Sequence, residues 1–320
     1  MIKQRHSQWP AVLIAAAVVV ALVAAPALAE QKFEEKFAKT MPLSTAGKLS
    51  LTNISGNIEI LTSKEAQVKI EALKTSKASS LEKAKENAAK VTIEVTSEGD
   101  LVRVVTKYPK QSGDSWGGDS NVTVDYKIWI PEQAAAEIKS VSGDVNVAAL
   151  GGQAKIKCVS GNIDLAGAAG AEIDLVSGDL TMAKIAGDAH VKAVSGNIDV
   201  TGIKGSVDVK AVSGDIKLLD VADAQTVGAE SVSGNITYVG AIKAGGRYEI
   251  KTHSGDVRVT IPAGSSFDLE ANTFSGDIAS DFEITVSGKM SPKEIHGTVG
   301  KGGATLILKT FSGNVDLKKK

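Results

Sequence analysis

Four sets of side chains in this sequence have types and spacings that could do chemistry. The first is a series at one place of a repeated Ser-Gly-(Asp/Asn) motif: Asp144, Asn162, Asp179, Asn197, Asp215, Asn235 and Asp256. A row of side-chain oxygens on stacked turns is what a hard cation such as calcium seeks. Here, however, charge alternates with neutral amide. Carboxylates on adjacent turns about 4.8 Å apart would repel by roughly 1 kcal/mol in water. An intervening Asn doubles the separation to about 10 Å, near the screening length. Asp and Asn both cap a turn through a side-chain oxygen, so the series reads as a structural turn ladder and no metal ligand set is expected. The second set is Asp164 and Asp199, the two carboxylates a polysaccharide-cleaving site would use. Two coils of stacking puts them about 10 Å apart, slightly beyond the range that accommodates a water. The third is Trp116, in the Gly-rich stretch KQSGDSWGGDSN, with Trp129, on the polar parity of the segment 122–130. Together they could stack on sugar rings or a partner protein, or pack on one another as a seal. The fourth is single residues: Cys158 as a small buried apolar group, His190 as outward and without an acid partner, and His253 as a packed turn residue.

The elements that must position these groups come from an internal repeat. Ser-Gly-(Asp/Asn) recurs at Ser55, Ser142, Ser160, Ser177, Ser195, Ser213, Ser233, Ser254, Ser275 and Ser312, in steps of 17 to 21 residues between Ser142 and Ser275. Each repeat has two halves, as in SGNIDVTGI and KGSVDVKAV from Ser195. Both halves open on a glycine and then alternate apolar and polar residues, the mark of a half-buried strand. Such short strands bury too little alone and must stack. The chain is therefore expected to be all-β: a single-stranded parallel β-helix or β-solenoid of about 18–21 residues per coil. Inward columns include Ile163/Leu165, Ile198/Val200 and Ile216/Leu218. Outward columns include Asn146, Asp164, Thr181, Asp199 and Lys217 on one face, and Lys157, Asp174, Lys192, Lys210, Glu230 and Lys251 on the other. Ahead of Ser-Gly stands Val in six coils, then His253, Phe274 and Phe311. These larger groups are expected to fill the wider, later coils.

The ends differ. Lys3 and Arg5, the apolar run Ala11–Ala25 and Pro26-Ala27-Leu28-Ala29 have the layout of a signal peptide cleaved after Ala29. Export, with no transmembrane segment after cleavage, is the expectation. Residues 30–140 read as irregular coils and a cap, with a helix near 79–90 whose Ser79 and Glu82 are spaced as a capping box. Residues 141–317 read as regular coils, closed by 306–317 and a basic tail at 318–320. A formal net charge of −1 lacks the basic stripe that nucleic-acid binding needs.

The Ser-Gly-(Asp/Asn)-(Ile/Val) repeats over 45–317, Gly-x-Gly-Gly-Ala-x-Leu near Gly300 and the closing FSGNVDL at Phe311 resemble a family of bacterial adhesin-type β-strand-repeat proteins of unknown function. The resemblance implies the solenoid fold and export, and supplies no catalytic residues. The expected function is a non-catalytic envelope protein that presents a surface to an envelope polysaccharide or protein partner, without cofactor. The alternatives are a polysaccharide-active β-helix enzyme and a structural or accessory protein of an envelope-stress system.

Overall fold

The computed structural model describes residues 30–109, 121–286 and 291–320. The expected signal segment and Trp116 lie outside the described residues. Alternating apolar residues form short strands that stack, coil on coil, into two long sheets of thirteen and fourteen strands. This is the expected β-solenoid. Each regular coil gives one strand to each sheet, as with Val207–Ser213 followed by Ile216–Val221. Register is strict: Ile198 pairs with Leu180 and Ile216, and Val191 with Ile173 and Val209. The inward columns are buried as read. Each fully buried Val, Ile or Leu contributes about 1.5–3 kcal/mol, so the thin core is stabilised rung by rung rather than at one centre.

The sharp bend between the sheets falls on Ser-Gly. Gly196 has φ +126°, and a Cβ there would stand 1.8 Å from the carbonyl oxygen of Gly178 in the neighbouring coil. Only glycine permits that approach in that conformation. The amide of Gly196 donates to Ser213 O at 3.1 Å, tying the bends together.

Chain order and spatial order part company at both ends. The coil containing Ser55 lies directly against the coil containing Ser142: strand Lys48–Ser55 pairs in parallel with Ala135–Ser142, and Ile58–Ser63 with Val145–Val147. Its other edges are covered by Leu101–Lys107 and Val122–Pro131. At the far end the last coil is not last in space. Ala304–Ser312 lies between Arg247–Ser254 and Phe267–Ser275, and Val315–Lys319 between Val257–Ile261 and Ile278–Ser280. Beyond these inserted coils pairing turns antiparallel, between Gln31–Pro42, Gln67–Ala78 and Val122–Pro131 at one end and Phe267–Ser275 and Glu294–Val299 at the other. The region 30–140 thus holds one regular coil inside an antiparallel cap. The helix is Leu81–Lys90, capped by Ser80, whose oxygen accepts from Lys83 N at 3.2 Å. The expected capping box from Ser79 does not form, because the helix begins one residue later.

The later coils are widened by tyrosines. Tyr238 and Tyr248 are fully buried, with ring centroids 6.1 Å apart at 67°. Their hydroxyls donate to Ala241 O and Ala224 O, each at 2.7 Å. His253, Phe274 and Phe311, expected to fill this space, are exposed. Thr252, Thr273 and Thr310 take the inward place just before them, so alternation sends the next side chain out.

Candidate functional site

The turn series assembles into a continuous hydrogen-bonded column. The Asn197 amide donates to Asp179 Oδ1 at 2.7 Å, and the Asp215 amide to Asn197 Oδ1 at 3.1 Å. The same bond links Asp144, Asn162 and Asp179 below and Asn235 and Asp256 above. Four residues outside the expected series join it. Asn57 precedes Asp144 and is itself preceded by Asp125. Asn314 follows Asp256, and Asp277 follows Asn314. In space the column reads Asp125, Asn57, Asp144, Asn162, Asp179, Asn197, Asp215, Asn235, Asp256, Asn314, Asp277. Charge alternates without a fault along its whole length. Chain order would place Asp256 against Asp277, and the inserted coil separates them. Among the described residues no group of three or more His, Cys, Asp or Glu could hold a metal ion.

Beside this column runs a rib of exposed apolar side chains, the residues just ahead of Ser-Gly. Val141, Val159, Val176, Val194, Val212 and Val232 are each 42–52% exposed. The rib continues through His253 to Phe311, 48% exposed, and Phe274, 70% exposed. His253 stacks on Phe311 with centroids 4.9 Å apart at 12°, and Phe311 on Phe274 at 4.7 Å and 5°.

The carboxylates of the enzyme reading stay apart. Asp164 and Asp199 lie two strands apart with Thr181 between, and Asp199 is paired with Lys217 at 3.2 Å. His190 has acidic neighbours that linear reading missed: register sets it between Glu172 and Asp208. Lys155 Nζ holds both Glu172 oxygens, at 2.7 and 2.8 Å. Cys158 is buried in the small-residue column, and burial pushes its thiol pKa up. That disfavours the reactive thiolate.

Trp129 is half-buried on the outer face of the thirteen-stranded sheet, between Leu61 and Lys69. Lys69 Nζ stands 4.6 Å from its ring centre and Lys127 Nζ 5.6 Å. These lysines are held in turn by Glu71 at 2.8 Å and Glu59 at 3.0 Å. The adjoining rows of the same face form a trough of about 780 Å³ across four strands and onto Asn146. Its polar lining is Lys36, Asn57, Glu59, Glu71, Asp125, Lys127 and Asn146. No motif marked this trough in the sequence. It depends on the antiparallel strands Gln31–Pro42 and Gln67–Ala78 extending the sheet beyond Val122–Pro131, which borders the inserted coil. The trough offers acceptors and donors, and the Trp129 ring lies on the adjoining row of the same face.

Among solved structures the chain is similar to a "putative cell adhesion protein" from Clostridium sporogenes, at 13% identity and TM-score 0.24, covering 90% of this chain and 100% of that one. It is also similar to a "putative adhesin" from Bacteroides fragilis, at 13% identity and TM-score 0.32, over 88% and 96% of the two chains. A "putative adhesin" from Parabacteroides distasonis gives 10% identity and TM-score 0.32, over 88% and 97%. No curated protein matches the chain. The match to the family described as Toastrack DUF4097 spans residues 46–318, through every Ser-Gly-(Asp/Asn) coil from Ser55 to Ser312, and the chain belongs to that family.

Proposed function

We propose that this is an exported, non-catalytic, adhesin-like envelope protein that holds a polysaccharide on the outer face of its N-terminal sheet. The observation that carries the reading is the trough beside Trp129. Sugar rings offer a C–H face to an aromatic plane and a rim of hydroxyls to carboxylates and amides. Trp129, Glu59, Asn57, Asn146 and Asp125 supply both on one rigid sheet. The charges there are mixed, with Glu59 and Glu71 already paired to lysines. That favours a neutral polymer over a strongly anionic or cationic one. Trp116, in the segment leading to Asn121, is a second candidate contact. A protein partner on the same face is the other reading.

Titration calorimetry of the mature protein against polysaccharide purified from its own envelope tests this. Trp129→Ala should weaken binding about tenfold, the equivalent of a lost aromatic contact of ~1.4 kcal/mol, and leave the melting temperature within a few degrees. Equal binding by Trp129→Ala would refute the site. Release of shortened product that disappears in Asp164→Ala or Asp199→Ala would establish the enzyme reading instead.

A further inference from the structure

We propose that the exposed rib is a self-association surface, and that two copies pack rib to rib in parallel about a dyad running along the solenoid axis.

A continuous apolar patch of this length is unusual on a monomer's surface. Stacking along the rib covers each side chain above and below and still leaves about half of it exposed. Nine rib residues at about 4.8 Å spacing give a rib roughly 38 Å long. With its two flanking columns it covers roughly 600 Å² per copy, approaching the ~800 Å² of a standard specific interface.

The flanks decide what covers it. Two residues before the rib lies a mainly basic column, with Lys139, Lys157, Lys192, Lys210, Lys251 and Lys309. Three residues after it lies the Asp/Asn column, in which hydrogen bonds to the carboxylates of Asp144, Asp179, Asp215 and Asp256 fall on Oδ1. The chain crosses the rib from the mainly basic column to the Asp/Asn column in every coil, and runs from Lys to Asp in the coils of Val141, Val212 and His253. A dyad along the axis sets each coil against the same coil of the second copy and exchanges the flanks. Lys139 then faces Asp144, Lys210 faces Asp215, and Lys251 faces Asp256. One like pair, Asp174 with Asp179, opposes this. A dyad across the axis would instead lay the basic column on itself and set Phe274 and Phe311 against the far end. The parallel arrangement puts the aromatic end on the aromatic end. Opposite potentials across a contact both steer and orient association.

The test uses the mature full-length chain. Light scattering over a concentration series should give a dimer. Val176→Glu with Val212→Glu should give a monomer with little change in melting, since both positions are outward. In a Cys158→Ala background, Val159→Cys and Val232→Cys, each alone, should both form disulfide-linked dimers, because an axial dyad sets every rib residue opposite itself. Cross-linking confined to rib residues at the middle coils would indicate the dyad across the axis and overturn the parallel arrangement. A monomer at every concentration would overturn the proposal altogether. Trp129→Ala should remain dimeric, so loss of polysaccharide binding and loss of self-association are separable.

Discussion

Each Asx in the turn column has two jobs at the residue scale. Its side-chain oxygen takes the amide of the next coil, and its charge must not repeat on adjacent rungs. Asn and Asp do the first job equally, which isolates the second. Asn197→Asp keeps the acceptor for Asp215 N and places three carboxylates in a row with Asp179 and Asp215. It should cost about 1 kcal/mol at low salt and much less in about 1 M salt, where the screening length is roughly 3 Å. Only ionised carboxylates repel one another. The penalty is therefore present at neutral pH and vanishes as pH falls below the carboxylate range. Denaturant melts at two salt concentrations and at pH 7 and 3 would show it. A cost indifferent to salt would mean that the column does not act through charge. The sequence made seven members of this column legible from spacing alone. It hid Asp125, which follows no Ser-Gly, and it hid the order of Asn314 and Asp277. Yet the irregularity was visible: chain order puts two Asp residues in succession, and only a spatial exchange restores alternation.

At the scale of elements, the inserted coils are the feature that periodicity cannot reveal, because a repeat announces its strands and not their neighbours. The joint between Lys48–Ser55 and Ala135–Ser142 brings together strands eighty residues apart in the chain, and Glu137 sits on it. Lys48 Nζ lies 2.5 Å from Glu137 Oε2 and Lys139 Nζ 3.0 Å from Oε1. Hydrogen bonds from these two lysines, Lys48 first, hold the Glu137 pKa at about 2. A folded-state pKa below the unfolded one contributes stability above about pH 4.5, and that contribution is lost as pH falls toward 2. Glu137→Gln should thus lower Tm by about 2–4 °C at pH 7, with the difference closing near pH 2. A difference independent of pH would place the effect in packing rather than in the ion pairs. The outward parity of His253, Phe274 and Phe311 was also within reach of the sequence. It follows from the inward Thr before each, once coil width is attributed to Tyr238 and Tyr248 instead.

On the scale of the whole molecule, a solenoid offers its outside. Two exteriors stand out, the trough beside Trp129 near one end and the rib running the length of the stack. The sequence pointed to Trp129 through strand parity and could not disclose the trough, whose walls come from strands far apart in the chain. The rib depends on the spatial order of the late coils, in which the coil of Ser312 separates those of Ser254 and Ser275. Disulfide trapping in dilute Cys158→Ala protein tests that order most directly. Neighbouring strands bring outward Cα atoms to about 4.8 Å, within the range a disulfide spans, whereas two strands apart lies beyond the ~7 Å limit. The pair His253→Cys with Phe311→Cys should close an intramolecular disulfide, and so should Phe311→Cys with Phe274→Cys. His253→Cys with Phe274→Cys should close no intramolecular disulfide. An intramolecular bond between positions 253 and 274 would contradict the inserted coil and the unbroken alternation that it completes.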